Sequence, residues 1–170
     1  DNAIMTIAGG VKAEEVFPLA EKWFGEIKRI APVRIPYPKE PEQTEYRELT
    51  VERDIPYSSI YRAYHMCSRL DKKFYAVDLL SDILSRGKSS RLYNTLVKEK
   101  KLFSDINAYS TSDFDPGLMV VEGKLVKGVE MADAERAIDA ELNKICEELV
   151  EKDELEKVKN KVESTMEFSE

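Results

Sequence analysis

His65 is the sole imidazole among 170 residues, so any reaction that requires a histidine base has to be built around it. A histidine-rich zinc site cannot be assembled within this chain, because zinc takes three or four protein ligands. A Ser-His-Asp or Cys-His arrangement is confined to the same residue. A lone histidine in a tyrosine-rich segment reads instead as packed or hydrogen-bonded. Cys67 and Cys146 fit neither a disulfide framework nor CxxC metal spacing, and read as reduced thiols. Carboxylates are abundant, with 33 Asp and Glu, but Glu147-Glu148 and Asp153-Glu154 fall in helical patterns where a solvated face is expected. The residues therefore nominate no catalytic group and no metal ligand, and they leave substrate binding unassigned.

One stretch concentrates donors. Asp82–Tyr93, DILSRGKSSRLY, places Gly87, Ser89, Ser90 and three basic residues between two helical patterns. A basic, glycine-containing loop ahead of a helix can bind phosphate through free N–H groups and the helix dipole. Against that, the loop has one glycine, no preceding strand pattern and no Gly-Lys-Ser/Thr at phosphate-loop spacing. A helix-to-helix turn fits better, with Ser89 or Ser90 capping the second helix.

The elements that would position this loop are readable from periodicity. Phe74, Val77, Leu80 and Leu84 make a helix after the cap candidate Asp71, and the second helix runs to about Lys101 with Arg91, Leu92, Leu96 and Val97 on it. Upstream, Ala3–Ala8 reads as a buried strand stopped by Gly9-Gly10. Lys12–Ile27 follows as an amphipathic helix with Val16, Leu19, Ala20, Trp23 and Phe24 on its apolar side and Pro18 bending its first turns. Pro32, Pro36, Pro38 and Pro41 make residues 30–43 an extended connector. Residues 1–29 then read as the end of a preceding subdomain and residues 44–170 as a second one.

Beyond the connector, Glu45–Arg53 alternates as a half-buried strand. Tyr57–Met66 is partly apolar on both faces, as a central strand would be. Leu102–Thr111 and Leu118–Leu125 form a hairpin about Asp115-Pro116-Gly117, where Gly117 would take the positive φ of a type II turn. Two helices close the chain. Met131, Ala134, Ile138, Leu142, Ile145 and Leu149 stripe the first; Leu155, Val158, Val162 and Met166 stripe the second after the cap candidate Asp153. Hairpins followed by helix pairs predict an α+β fold, an antiparallel-rich sheet with helices packed on one face.

Net charge is −7, and residues 130–170 hold 14 acids and 6 bases, leaving residues 1–129 near neutral. Acidic helix faces repel phosphate backbones, so nucleic acid is not an expected partner. Apolar runs are far too short for a membrane span. The opening DNAIMTIAGG lacks the basic and long apolar regions of a signal peptide and looks like a cut from a longer protein, so compartment is not read from it.

NAIMTIAGGVKAEEVFPLAEKWFGEI, the proline connector, IYRAYHM, FYAVDLLSDILSRGKSSRLYNTLVKEKKLF and ELEKVKNKVES, in this order, resemble the pitrilysin/insulinase family of zinc metallopeptidases, which includes the mitochondrial processing peptidases. The resemblance implies a zinc-dependent endopeptidase parent whose inverted His-x-x-Glu-His motif lies before Asp1, in a first subdomain. Zinc would then be bound outside this segment, which helps form a peptide-binding chamber. Many members hold substrate with an Arg and a Tyr in a pattern like Leu-Arg-x-x-x-Gly-Leu-x-Tyr. Here Leu96–Ser104 matches, with Val97 at the Arg place and Ser104 at the Tyr place. The resemblance further implies a second related half, in the same chain, a homodimer or a heterodimer, which could supply the missing pair. The alternative it leaves open is a non-catalytic structural or partner half of a processing-peptidase-like complex.

Overall fold

The computed structural model describes residues 3–28, 38, 40–111 and 113–169. The chain divides into two units, Asp1–Thr50 and Val51–Glu170.

In the first unit the described structure is one helix, α1 (Ala13–Phe24), with Pro18 inside it. Gly25 ends it, its N–H donating to the Glu21 carbonyl at 2.8 Å. None of its residues is buried, and Phe17 and Trp23 are 71% and 69% exposed. The strand expected at Ala3–Ala8 is absent: these residues lie outside any ladder, and Ile4, Met5 and Ile7 are exposed. A strand is held by cross-strand pairs, and the described part of this unit supplies none. Most of the 30–43 connector lies outside the described residues.

Glu45–Arg53, which straddles the boundary, alternates in sequence but forms no strand, and Leu49 is 85% exposed. The sheet has three antiparallel strands, β1 (Ser59–His65), β2 (Phe103–Ser110) and β3 (Leu118–Leu125), in the order β1-β3-β2. β1 is thus an edge, not the central strand its aromatic content suggested. The middle place goes to β3, where Met119, Val120 and Val121 are buried in succession. Ile60, Gly123 and Ile106 share one row of the sheet, and Val121 faces Arg62 and Ala108.

The helices cover one face, as expected. They are α2 (Phe74–Ser85), a π-helix (Tyr93–Glu99), α3 (Met131–Glu147) and α4 (Lys152–Glu167). Leu84, Leu92, Leu96, Ala134 and Ile138 pack with Phe103, Ile106 and Val121 in one core. The outer edge of β2 is covered by α2: the Ser85 hydroxyl donates to the Ala108 carbonyl at 2.8 Å, and the Ser110 hydroxyl to Asp78 Oδ1 at 3.1 Å. The first of these bonds occupies a backbone carbonyl of β2 that would otherwise be open to pairing.

Several local expectations change form. The Asp71 carboxylate accepts from the Lys73 N–H at 2.9 Å, one residue ahead of α2. Asp153 lies inside the first turn of α4, and Glu151 holds the cap position. Leu149 falls beyond α3 and is 97% exposed. Gly117 does not adopt a positive φ. Its requirement is space: a Cβ there would sit 2.6 Å from the Thr111 hydroxyl and 2.7 Å from its carbonyl oxygen.

The segment expected as an α-helix to Lys101 winds as a π-helix instead. The Lys100 N–H reaches back five residues to the Thr95 carbonyl, and Leu102 N–H bonds to the Leu96 carbonyl at 3.0 Å. The turn is closed by Lys101 at φ +53°. A left-handed residue ending a helix is normally glycine, because a Cβ there crowds the following carbonyl. Lys101 occupies the glycine place of the pattern read above. Lys101→Gly is therefore expected to raise stability by about 0.5–1 kcal/mol, read as a higher urea midpoint at unchanged slope. A lowered midpoint would show that the lysine side chain outweighs the backbone cost.

Candidate functional site

The donor-rich loop is a turn docked on α4. Gly87 takes φ +86°, and its carbonyl accepts from both the Ser90 hydroxyl at 2.7 Å and the Ser90 N–H at 3.1 Å. Ser90 is buried and closes the turn rather than capping the next helix, because its hydroxyl donates backward instead of accepting a helix N–H. Ser89 does not cap either; its hydroxyl meets Lys157 Nζ. The helix-to-helix turn holds, and the capping role does not.

The basic residues of the loop are partly neutralised. Arg86 pairs with Asp82 at 2.7 Å. Arg91 grips Glu154 with two parallel bonds, Nε to Oε1 at 3.0 Å and Nη2 to Oε2 at 2.6 Å. This fork matches the carboxylate geometry. The hydrogen bond to Glu154 raises the Arg91 pKa above the ordinary arginine value, with burial opposing it. A raised folded-state pKa means that the stabilisation is complete below the unfolded value and is lost only as pH climbs through the folded one, so neutral pH leaves the pair intact. Glu154 was expected on a solvated face, yet only 22% of its side chain is exposed. Glu147 and Glu148 do lie exposed.

A second half-hidden charge was not legible in the sequence. Glu141 is 5% exposed, on the face of α3 that its stripe of apolar neighbours turns inward. It accepts from Lys144 at 2.8 Å and lies 3.9 Å from Lys100, at the end of the π-helix. The bond raises the Lys144 pKa. Its i,i+3 spacing to Lys144 was a usable signal for that pair; the contact to Lys100 was not.

The two positions of the substrate-holding pattern are occupied by fold-supporting groups. Val97 is half-buried and packs against the core. Ser104 is exposed on β2, its hydroxyl donating to the Lys124 carbonyl at 3.2 Å. A valine offers no donor to a substrate carbonyl, and a hydroxymethyl cannot replace a phenol. His65 is exposed on β1 rather than packed. Cys67 is half-buried and Cys146 exposed, both free thiols. Among the described residues no three His, Cys, Asp or Glu come together in a way that could hold a metal. Among the described residues no helix is long and apolar enough to cross a membrane.

Known proteins share both this sequence and this fold. The zinc protease PqqE of Helicobacter pylori is 30% identical over 161 residues, 93% of this chain and 36% of that protein. The crystal structure of a protease from Helicobacter pylori superposes with a TM-score of 0.84 at 26% identity, over 92% of this chain and 38% of that one. The inactive peptidase domain from a Bordetella parapertussis protein gives 0.60 at 26% identity, covering 69% of this chain and 63% of that one. The chain thus spans little more than a third of the Helicobacter proteins it matches. Residues 1–162 match the model of the peptidase M16 inactive domain, and a match across nearly the whole length, carried on the family's α+β fold, makes this chain a member of that family.

Proposed function

We propose that this chain is the second, non-zinc subdomain of a zinc-dependent endopeptidase, shaping a peptide-binding chamber while zinc is held elsewhere in the parent protein. The observation that carries this reading is the state of Val97 and Ser104. The side chains that would hold substrate are replaced by one that fills the core and one that bonds the neighbouring strand. An Arg and Tyr pair would then come from a second related half, in the same chain or in a partner. Residues 1–29 would close the sheet of a preceding, zinc-bearing subdomain. The bare apolar side chains of Ile4, Phe17 and Trp23, 94%, 71% and 69% exposed, support that placement, since such surface is stabilised by being covered. Residues 30–43 would be the linker and 44–170 the second subdomain.

Two measurements test the proposal. The purified 170-residue chain is expected to bind no stoichiometric zinc and to hydrolyse no peptide; chelator-sensitive hydrolysis by this chain would place the site within it and sink the reading. The parent, purified without added metal, is expected to carry about one zinc per chain, as a three-residue catalytic site would. A metal-free parent that cannot be reconstituted would instead identify a structural half.

A further inference from the structure

We infer that the cleft between the Gly87–Ser90 turn and α4 binds a small oxyanion of the phosphate class, independently of the peptidase reading. Sequence alone argued against such a site, because the loop has one glycine, no preceding strand pattern and no Gly-Lys-Ser/Thr at phosphate-loop spacing. The fold adds the second wall. Lys157 and Lys161, one helical turn apart on α4, line the cleft together with Arg86, Ser89, Asp82 and Glu154. The Lys157 ammonium meets the Ser89 hydroxyl. The Lys161 ammonium lies 3.5 Å from where a Cβ on Gly87 would be, so it rests over the bare glycine backbone.

Charge decides what the cleft can take. Both of its carboxylates are already engaged, Asp82 by Arg86 and Glu154 by the fork of Arg91. Neither Lys157 nor Lys161 has a carboxylate within 4.0 Å among the described residues. The result is a local positive site on a chain of net charge −7. Lys157 and Lys161, at i and i+4, have Cβ atoms about 6 Å apart, so their flexible stems bring two ammonium groups to one tetrahedral dianion while a third oxygen accepts from a hydroxyl. A carboxylate has one charge and one plane of acceptors, and it satisfies fewer of these donors at once.

The test is a titration of the 170-residue chain with inorganic phosphate at constant ionic strength, followed by backbone amide NMR. Saturable shifts at Gly87, Lys88 and Ser89 are expected, with a dissociation constant on the order of a millimolar. Lys157→Gln with Lys161→Gln should weaken binding about tenfold or more, whereas Lys152→Gln with Lys159→Gln, on the same helix but outside the cleft, should leave it within about twofold. Linear, unsaturating shifts, or equal losses in the two double variants, would mean general screening and overturn the assignment. Acetate is expected to bind far more weakly; equal affinity for acetate would overturn the phosphate class.

Discussion

Gly123→Ala is expected to destabilise the second unit by about 2–3 kcal/mol, although a glycine in mid-strand normally weakens a sheet. The reason is the ring beneath it. A Cβ at Gly123 would meet Phe103 Cδ1 at 2.6 Å and Cε1 at 2.7 Å, and Phe103 is 1% exposed. Overpacking of that kind forces side chains off their rotamers or moves the backbone. Thermal unfolding should fall by about 5–10 °C for a unit of this size. Phe103→Leu combined with Gly123→Ala should recover at least about 1 kcal/mol of the summed single-variant costs, because the two sites compete for one space. Strict additivity of the two changes would rule out the steric explanation. Gly10→Ala is the control: nothing lies within 4 Å of a Cβ there, and its effect should stay within about 0.5 kcal/mol.

Leu96→Ala is expected to cost about 3–4 kcal/mol, and its neighbour Val97→Ala only about 1 kcal/mol. Leu96 is fully buried among Leu84, Leu92, Phe103 and Ile138, whereas Val97 only flanks that cluster. The loss at Leu96 combines transfer energy with the cavity left where α2, the π-helix and the sheet converge. Urea unfolding of the two single variants measures the contrast. Equal costs would mean that the π-helix is rotated relative to the core described here. The comparison also bears on function, since it asks whether the position aligned with a substrate-holding arginine has been given over to packing.

The pattern of Phe74, Val77, Leu80 and Leu84 named α2 correctly because a helix that buries one stripe must repeat its apolar residues at helical spacing. The same reasoning placed α3 and α4 within a few residues, and Asp115-Pro116-Gly117 located the hairpin turn. It failed where spacing was right but a partner was wanting. Leu49 and Val51 alternate as a strand does, yet no described strand lies beside them, and both are exposed. It also misjudged β1, since aromatic residues on both faces suit an edge strand as well as a central one.

Sequence by itself determined the α+β class, the family resemblance and the absence of a histidine-rich metal site, because each rests on residue identity and short-range order. Tertiary structure alone decided the rest. The strand order depended on which strand could be buried on both faces, and β3 met that condition with Met119, Val120 and Val121. The π-helical winding and the left-handed Lys101 arise from the need to bring Leu96 into the core and still turn into β2. The partners of Ser89 and Arg91 came from residues more than sixty positions away, Lys157 and Glu154. No local pattern encodes a contact of that range, because it forms only when α4 packs against α2.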